Sequence, residues 1–249
     1  MPSLSNFNTP TTGTPTLNAT QPSTTVNGAS PLSQQVDAND NAKPVVCVFC
    51  GASPGKSPTH LESARELARL LAKEDARLVY GGGTYGLMGE VAKTLVAISG
   101  PQSVHGIIPE ALQRYEQGGT GIEESVYGRT TVVKDMHTRK QSMAREVVAG
   151  GHGSGFVALS GGFGTLEELM EITTWNQLGI HKMPVVVFNV DGYYDGLMEW
   201  VRGAVKAGFI APANGSILVE AKTAQEVIEA LKNYEVSKAR FDLDWDSEG

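Results

Sequence analysis

Short apolar runs alternate along this chain with segments of helical periodicity, and no other feature constrains the fold as strongly. The apolar runs predict strands at 45–50, 77–81, 103–108, 129–134, 155–160, 184–190 and 216–220. The segments between them predict helices at 59–73, 86–99, 109–115, 136–149, 165–180, 194–207 and 223–233. Apolar strands that alternate with helices are typical of a parallel sheet covered on both faces. We therefore predict an α/β fold: a Rossmann-like, doubly wound parallel sheet in three αβα layers, within a single domain.

The two ends of the chain differ in composition from this predicted domain. Residues 1–43 are mostly Ser, Thr, Asn, Pro, Gln and Gly, with Phe7 as their only aromatic residue. Such a segment buries too little apolar surface to offset the entropy lost on ordering, so we predict that it is disordered. Residues 236–249 form an acidic C-terminal tail that we expect to be solvated. The domain is therefore predicted to span residues 44–235.

Charge and hydropathy argue against several classes of partner. The formal net charge is −7, and Lys and Arg do not form the basic stripe that holds a phosphate backbone, so we expect no nucleic-acid partner. Because no apolar run approaches the roughly 20 residues of a membrane span, we expect no membrane partner. The N-terminus lacks the basic and apolar regions of a secretory signal and the Arg content of a transit peptide, which favours a cytoplasmic location.

The two cysteines, Cys47 and Cys50, have the C-x-x-C spacing that redox pairs and zinc sites share. They lie in a predicted buried strand, where residues three apart point to opposite faces. Thioredoxin-type pairs open a helix instead, and the sequence has no second cysteine pair to complete a zinc site. We therefore interpret both as core residues and predict no metal.

The glycine-rich motifs also differ from the common cofactor fingerprints. The first loop lacks G-x-G-x-x-G, and the second strand ends in Tyr80-Gly81 rather than in an acid, which disfavours NAD. The G-x-x-x-x-G-K-[ST] pattern of P-loop NTPases does not occur. No feature suggests a pyridoxal phosphate site, and we predict no cofactor.

Three glycine-rich loops follow the first, second and fifth predicted strands, at 51–55, 81–86 and 161–165. The carboxyl ends of parallel strands share one edge of a sheet, which is the usual ligand crevice. The third loop leads directly into a helix, whose first N–H groups lack intrahelical partners and lie at the positive end of the helix dipole. A phosphate is the expected ligand there.

Two polar pairs near this loop allow either a structural or a functional interpretation. Thr165 and Glu168 have the spacing of a capping box, in which Thr165 caps the helix and Glu168 bonds back to the cap; alternatively, Glu168 is a catalytic carboxylate. Arg139 and Lys140 lie near a predicted helix start, where cations oppose the dipole. They are either a solvated basic turn or a counter-charge for Glu168 or a phosphate.

Five motifs occur in one order over about residues 45–233. They are Cys50-Gly-Ala-Ser53, Tyr80-Gly-Gly-Gly-Thr-Tyr-Gly-Leu-Met-Gly89, Met136-His-Thr-Arg-Lys140, Gly161-Gly-Phe-Gly-Thr-Leu-Glu-Glu168 and Thr174-Trp-Asn-Gln-Leu-Gly-Ile-His181. Together they resemble the LOG ("Lonely Guy") phosphoribohydrolases. The resemblance implies an enzyme that cuts the N-glycosidic bond of cytokinin riboside 5′-monophosphates, with AMP as a further candidate substrate. A non-catalytic carrier of a nucleotide or of molybdenum cofactor, with the same fold, is the alternative.

The resemblance also implies roles for individual residues. Arg139 and Glu168 match the family's catalytic pair. The residues that match its substrate contacts are Ser53, Gly82, Gly83, Glu116, Met136, Arg139, Lys140, Gly161, Gly162, Phe163, Gly164, Thr165, Leu166, Glu167, Glu168 and Thr174. The implied partners are a nucleotide monophosphate and a second copy of the chain in a homodimer. Trp175 and Leu178 are candidate dimer contacts, although core packing would explain each, and His181 is expected to be structural.

Two features depart from the family pattern. Pro usually stands where this chain has Ser160, so we expect a looser entry to the glycine loop. The link at 146–155 is longer than usual, and a displacement of its helix would move Arg139 away from Glu168. We expect a surface bulge instead, because glycine-rich insertions are tolerated at the surface.

Overall fold

The computed structural model describes residues 42–116, 122–243 and Trp245. The predicted disordered segment, 1–43, lies outside the described residues except for its last two. The strands are β1 (Val45–Phe49), β2 (Arg77–Tyr80), β3 (Val104–Pro109), β4 (Arg129–Val133), β5 (Gly155–Ala158), β6 (Val185–Phe188) and β7 (Leu218–Ala221). The helices are α1 (Pro58–Lys73), α2 (Gly86–Ser99), α3 (Glu110–Glu116), α4 (Glu124–Tyr127), α5 (Met136–Val148), α6 (Phe163–Gln177), α7 (Asp195–Lys206) and α8 (Ala224–Lys232).

The strands form one sheet in the order β4-β3-β2-β1-β5-β6-β7, and every neighbouring pair is parallel. The predicted doubly wound α/β fold is therefore confirmed. The periodicity missed the short helix α4, and it placed the start of α6 at Thr165 instead of Phe163. In the described part of the chain, no helix combines the length and apolar character needed to cross a membrane.

Helices cover both faces of the sheet because successive strand residues point in opposite directions. On one face, Val46 and Val48 of β1 pack with α1, α2 and α8. On the other face, Cys47 and Phe49 pack with α5, α6 and α7. Cys50 belongs to the first cluster and both cysteines remain buried thiols. The interpretation of the C-x-x-C pair as core residues is confirmed.

The strand order reverses direction at β1. The chain adds β2, β3 and β4 on one side of β1, and then adds β5, β6 and β7 on the other. The loops after β1 and β5 consequently leave their adjacent strands toward opposite faces of the sheet and open a crevice between them. Such a switch point is where open α/β sheets bind ligands.

The long link between α5 and β5 packs against the sheet, and the expected surface bulge is wrong. Gly150, Gly151 and Ser154 are buried, while Ala149 and His152 are exposed. Ser154 Oγ accepts a hydrogen bond from the Val45 amide at 2.8 Å and donates one to the Gly151 carbonyl at 2.7 Å. The link therefore lies at the starts of β1 and β5, at the sheet edge opposite the crevice.

The described residues after α8 also contact the domain. Ser237 is buried, and its hydroxyl lies 2.9 Å from the Ala213 carbonyl oxygen. Trp245 donates its indole N–H to the Leu178 carbonyl at 3.1 Å. Ser237 and Trp245 therefore anchor this segment to the domain, while most of its other described side chains are exposed.

Candidate active site

A pocket occupies the crevice at the switch point, between the carboxyl ends of β1 and β5. The lining residues come from β1 and its loop, from the start of β2's loop, from α2, α3 and α5, and from the start of α6. They are Val48, Phe49, Cys50, Gly51, Ala52, Gly81, Met88, Leu112, Met136, Arg139, Met143, Gly162, Gly164, Thr165 and Glu168. The lining thus combines apolar side chains with a guanidinium, a carboxylate and the amino end of a helix.

The amino end of α6 is uncapped. Its N-cap residue is Gly162, and no side chain of the described residues makes a cap hydrogen bond there. A Cβ added at Gly162 or Gly164 would meet no described atom within 4 Å, so the backbone N–H groups are accessible to a ligand from this side. Because the first-turn N–H groups lack intrahelical partners, the geometry suits an anion such as a phosphate.

The capping-box interpretation of Thr165 and Glu168 is wrong. Since α6 begins at Phe163, Thr165 is its third residue and Glu168 lies in its second turn. The Thr165 side chain instead packs against the preceding turn. A Cβ added at Gly161 would lie 2.0 Å from the Thr165 hydroxyl oxygen. Glu168 is therefore not explained as a cap, and its carboxylate is placed in the pocket.

Arg139 and Glu168 meet inside the pocket from two different helices. Arg139 belongs to the first turn of α5, which Asp135 caps by accepting a hydrogen bond from the Thr138 amide at 2.7 Å. Its Nη2 lies 3.8 Å from Glu168 Oε1, and the side chains are only 6 % and 10 % exposed. The lengthened link after α5 has therefore not separated the predicted catalytic pair.

The guanidinium of Arg139 is only partly satisfied by the protein. Its Nε is buried without a hydrogen-bond partner among the described residues, and Nη1 has the weak acceptor Met136 Sδ at 3.7 Å. The 3.8 Å approach to Glu168 is longer than a hydrogen bond. A buried cation with spare donors is costly unless another acceptor completes its shell. The geometry therefore suits a bound ligand with oxygen or nitrogen acceptors.

Lys140, the neighbour of Arg139, is engaged elsewhere. Its Nζ lies 2.5 Å from Glu167 Oε1 and 3.1 Å from Glu171 Oε1, both on α6. Burial lowers the pKa of Lys140, but the hydrogen bonds to these two carboxylates outweigh that effect and raise it above its ordinary value. Lys140 thus joins α5 to α6, the helices that carry the predicted catalytic pair.

The structure brings some of the predicted substrate contacts to the pocket and places others around it. Those that line it are Met136, Arg139, Gly162, Gly164, Thr165 and Glu168. Those that do not line it are Ser53, Gly82, Gly83, Lys140, Gly161, Phe163, Leu166, Glu167 and Thr174. Phe163 stands beside the pocket at the first position of α6 and is 94 % exposed. Glu116 ends α3, the helix that contributes Leu112, and its side chain lies outside the described residues.

Sequence reasoning did not single out several residues of the pocket. Gly81 was part of a glycine run, but its particular role is steric: a Cβ there would lie 1.9 Å from Arg139 Nη2. Met88, Leu112 and Met143 supply apolar surface from three separate helices. Apolar helix residues are most often core, so their sequence carried no signal that distinguished them from neighbours buried in the core.

Two buried titratable groups outside the pocket are structural. Burial lowers the pKa of His181 to about 4. The hydrogen bond to the Ile172 carbonyl raises the pKa, but this effect is smaller than that of burial. The other ring nitrogen accepts a hydrogen bond from the Met183 amide at 3.1 Å, so both nitrogens of the neutral ring have hydrogen-bond partners. Burial raises the pKa of the Cys47 thiol well above its ordinary value. Within the described ranges, no group of three or more His, Cys, Asp or Glu side chains is arranged to hold a metal ion.

Comparison with known proteins identifies the family. The family described as "Possible lysine decarboxylase" matches residues 88–231. The cytokinin riboside 5′-monophosphate phosphoribohydrolases LOG7 and LOG3 of Arabidopsis thaliana are 45 % and 44 % identical, and each match covers 76 % of this chain and 82 % of the relative. The chain belongs to the LOG family.

One fungal relative of this LOG-family chain is a longer protein than the chain itself. The bifunctional cytokinin biosynthesis protein of Fusarium pseudograminearum is 50 % identical over 212 residues, which are 83 % of this chain. The chain spans only 44 % of the length of that protein. The match therefore concerns one portion of the Fusarium protein.

Solved structures of more distant proteins share the fold of this LOG-family chain. The molybdenum cofactor binding protein of Rippkaea orientalis is 21 % identical, with a TM-score of 0.52 over 76 % of this chain and 96 % of that chain. The Moco carrier protein of Chlamydomonas reinhardtii is 20 % identical, with the same TM-score and coverage. At this identity the likeness establishes the fold and nothing about the ligand.

Proposed function

We propose that this LOG-family chain hydrolyses the N-glycosidic bond of cytokinin riboside 5′-monophosphates, which are N6-substituted AMP, to the free base and ribose 5-phosphate. The observation that carries the proposal is the buried Arg139–Glu168 pair inside the switch-point pocket. The names of the Arabidopsis relatives support the substrate class. We take residues 44–235 as the unit responsible for the activity.

The amino end of α6 supplies the site for the 5′-phosphate in this proposal. Gly162 and Gly164 leave the first-turn N–H groups accessible, and the helix dipole favours a dianion there. Glu168 lies one and a half turns further along the same helix, at about 1.5 Å of rise per residue. A ribose phosphate bound at the helix start therefore extends its sugar toward the carboxylate.

Glu168 performs the central step. Cleavage of the glycosidic bond develops positive charge on the ribose ring, as in other glycoside hydrolyses. A carboxylate held in a water-poor pocket stabilises that charge more strongly than it would in bulk water. Attack by water with Glu168 as base and attack through a ribosyl ester on Glu168 both require this carboxylate.

Arg139 acts through charge and hydrogen bonding. It does not serve as a general acid because guanidinium keeps its proton at working pH. Its buried Nε–H has no partner among the described residues, so a substrate acceptor that reaches it would complete its hydrogen bonding, and its Nη2 stabilises the charge of Glu168. The apolar wall formed by Met88, Leu112 and Met143 suits an adenine base with a hydrophobic N6 substituent.

The test is release of free base from isopentenyladenosine monophosphate and from AMP, followed by chromatography. Glu168→Gln and Arg139→Ala are expected to fold and to lose at least about a hundredfold in turnover, the usual cost of deleting one electrostatic stabiliser. Glu199→Gln and Arg202→Ala change the same residue types on the exposed surface of α7 and serve as matched controls.

Two outcomes would overturn the proposal. Near-normal turnover in Glu168→Gln or Arg139→Ala would remove the assigned pair from the chemistry. A wild-type protein that binds nucleotide without releasing base would favour the carrier interpretation instead. The ratio of the rates on the two substrates decides between a cytokinin-directed enzyme and one that prefers AMP.

The finer features of the proposal concern assembly and location. We propose a homodimer because Phe163 is almost fully exposed beside the pocket, where a second copy would cover it; light scattering after size exclusion measures this. Two buried thiols that remain reduced fit a cytoplasmic location. Among the substrate contacts, Glu116, Ser53 and Thr174 stay predictions, which alanine variants and their KM values test.

A further inference from the structure

Three hydrogen bonds hold the two residues that precede the N-cap of α6. The Ser160 carbonyl accepts from the Gly51 amide at 3.0 Å. The Ser160 hydroxyl lies 2.9 Å from His60 Nδ1, and the Gly161 carbonyl accepts from the Tyr193 hydroxyl at 2.5 Å. These partners belong to the loop after β1, to α1 and to the turn before α7, so one short turn is fixed from three separate elements.

His60 and Tyr193 also contact one another. Their ring centroids are 5.7 Å apart and the rings are nearly perpendicular, at 78°. A Cβ on Gly55, in the loop after β1, would lie 3.0 Å from His60 Cδ2, so that loop packs against the ring. The half-buried imidazole therefore contacts a loop, a phenol ring and the Ser160 hydroxyl, and these three contacts restrain it.

The turn that this arrangement holds needs an external restraint. Gly161 and Gly162 lie at its centre, and glycine loses more backbone freedom on ordering than any other residue. The family's usual proline would restrict the backbone at position 160, and this chain has Ser160 there. Ser160 is buried and its hydroxyl bonds to His60, so these contacts restrain the loop entry in place of the proline ring.

We propose that His60, Ser160 and Tyr193 form a clamp that positions the Gly161–Gly162 turn for the substrate's phosphate. This inference rests on the function proposed above. His60, Ser160 and Tyr193 are not among the pocket-lining residues, so they act through the turn and are positioning residues. Preorganised donors bind better because the cost of ordering them is met before the ligand arrives. The clamp therefore contributes to phosphate affinity, while the reacting bond is left to Arg139 and Glu168.

The first test measures phosphate affinity directly. Calorimetry with ribose 5-phosphate as the probe should show binding weakened about five- to tenfold in Ser160→Ala and in Tyr193→Phe, the usual cost of one hydrogen bond. Binding of free isopentenyladenine should stay within about twofold, because the base does not contact this turn. Ser160→Thr keeps a hydroxyl and should restore the affinity for ribose 5-phosphate, as Ser160→Pro should by restricting the backbone.

Kinetics and folding controls separate the clamp from a general loss of structure. In the base-release assay the same variants should raise KM by a similar factor with kcat within about twofold. Ser216→Ala deletes a comparable hydroxyl bond, to the Ala213 carbonyl, before β7 and is the matched control. If Ser160→Ala fails to fold, Tyr193→Phe still tests the proposal because it removes one oxygen from a half-exposed side chain.

The outcomes distinguish this proposal from the proposed function. Unchanged ribose 5-phosphate affinity in Ser160→Ala and Tyr193→Phe would overturn the clamp, whatever the enzyme hydrolyses. Equal weakening of base and phosphate binding would overturn it as well, since that result indicates general loosening. A wild-type protein that releases no base would refute the hydrolase instead, and the calorimetric test of the clamp would still stand.

Discussion

Gly81 determines where the guanidinium of Arg139 can lie. The Nη2 atom of Arg139 occupies the space that a Cβ at position 81 would fill, at a distance of 1.9 Å. Because Gly81 does not have a left-handed backbone, alanine fits its conformation. Its methyl group conflicts mainly with the guanidinium of Arg139 and approaches Met88 Sδ at 3.2 Å, and both belong to flexible side chains. A single methyl group at this position therefore tests the placement of the arginine without removing it.

We predict that Gly81→Ala folds normally and displaces Arg139. Turnover should fall at least about a hundredfold, as expected for loss of one electrostatic stabiliser, while the thermal midpoint changes little. Base release and thermal unfolding, measured on the same preparation, check both parts. Gly203→Ala in α7 is the control, because a Cβ there meets no described atom within 4 Å and alanine stabilises a helix interior. Normal turnover in Gly81→Ala would show that the position of Arg139 is not critical.

The pattern Thr-x-x-Glu occurs at two helices with different outcomes. In α8, Thr223 is the N-cap and accepts from the Glu226 amide at 3.1 Å, while Glu226 reaches back to the Lys222 amide. In α6, the helix starts two residues before Thr165, and Glu168 points into the pocket. The same spacing therefore produces a cap in one element and a ligand-facing carboxylate in the other.

We predict that Thr223→Ala lowers the free energy of unfolding by about 1 kcal/mol, the usual cost of losing an N-cap. Turnover should be unaffected, since α8 contributes no residue to the pocket lining. Chemical denaturation measures the first effect and the base-release assay the second. Thr223→Ser retains the cap and should match the wild type; a loss in Thr223→Ser equal to that in Thr223→Ala would assign the effect to packing.

The elements and the parallel sheet were predicted from the sequence because local periodicity encodes them, whereas the strand order and several contacts of the site were not. The helix pattern fixed α5 and α6 but not which cation faces the pocket: Arg139 does, and Lys140 pairs with carboxylates on α6. Likewise, the approach of His60 to Ser160 joins residues a hundred positions apart. Such pairings depend on tertiary packing, which no single segment specifies.

At the scale of the whole molecule, folding requires His181 to stay neutral. The imidazole bridges the Ile172 carbonyl and the Met183 amide, and burial lowers its pKa to about 4. In the unfolded chain its pKa is near 6.5. Between these values the unfolded state binds a proton that the folded state does not, so acidification favours unfolding.

We predict that stability falls as pH drops from 6.5 toward 4, with His181 contributing up to about 3 kcal/mol at about 1.4 kcal/mol per pKa unit. His181→Gln cannot titrate, so its stability should vary less with pH over this window even if it is lower at pH 7. Denaturant unfolding at half-unit pH steps measures the slope. His152→Gln makes the same substitution at an exposed position and is the matched control. Parallel curves for His181→Gln and the wild type would refute the assignment.

The packed link between α5 and β5 offers a place from which to observe the enzyme without disturbing it. His152 is exposed there, between the buried Gly151 and Ser154, at the edge of the sheet away from the pocket. Both native cysteines are buried. A His152→Cys variant would therefore carry one readily labelled thiol, separated from the chemistry by the length of the strands. A fluorophore attached there would report tumbling, assembly and unfolding while the pocket end of the molecule stays unmodified.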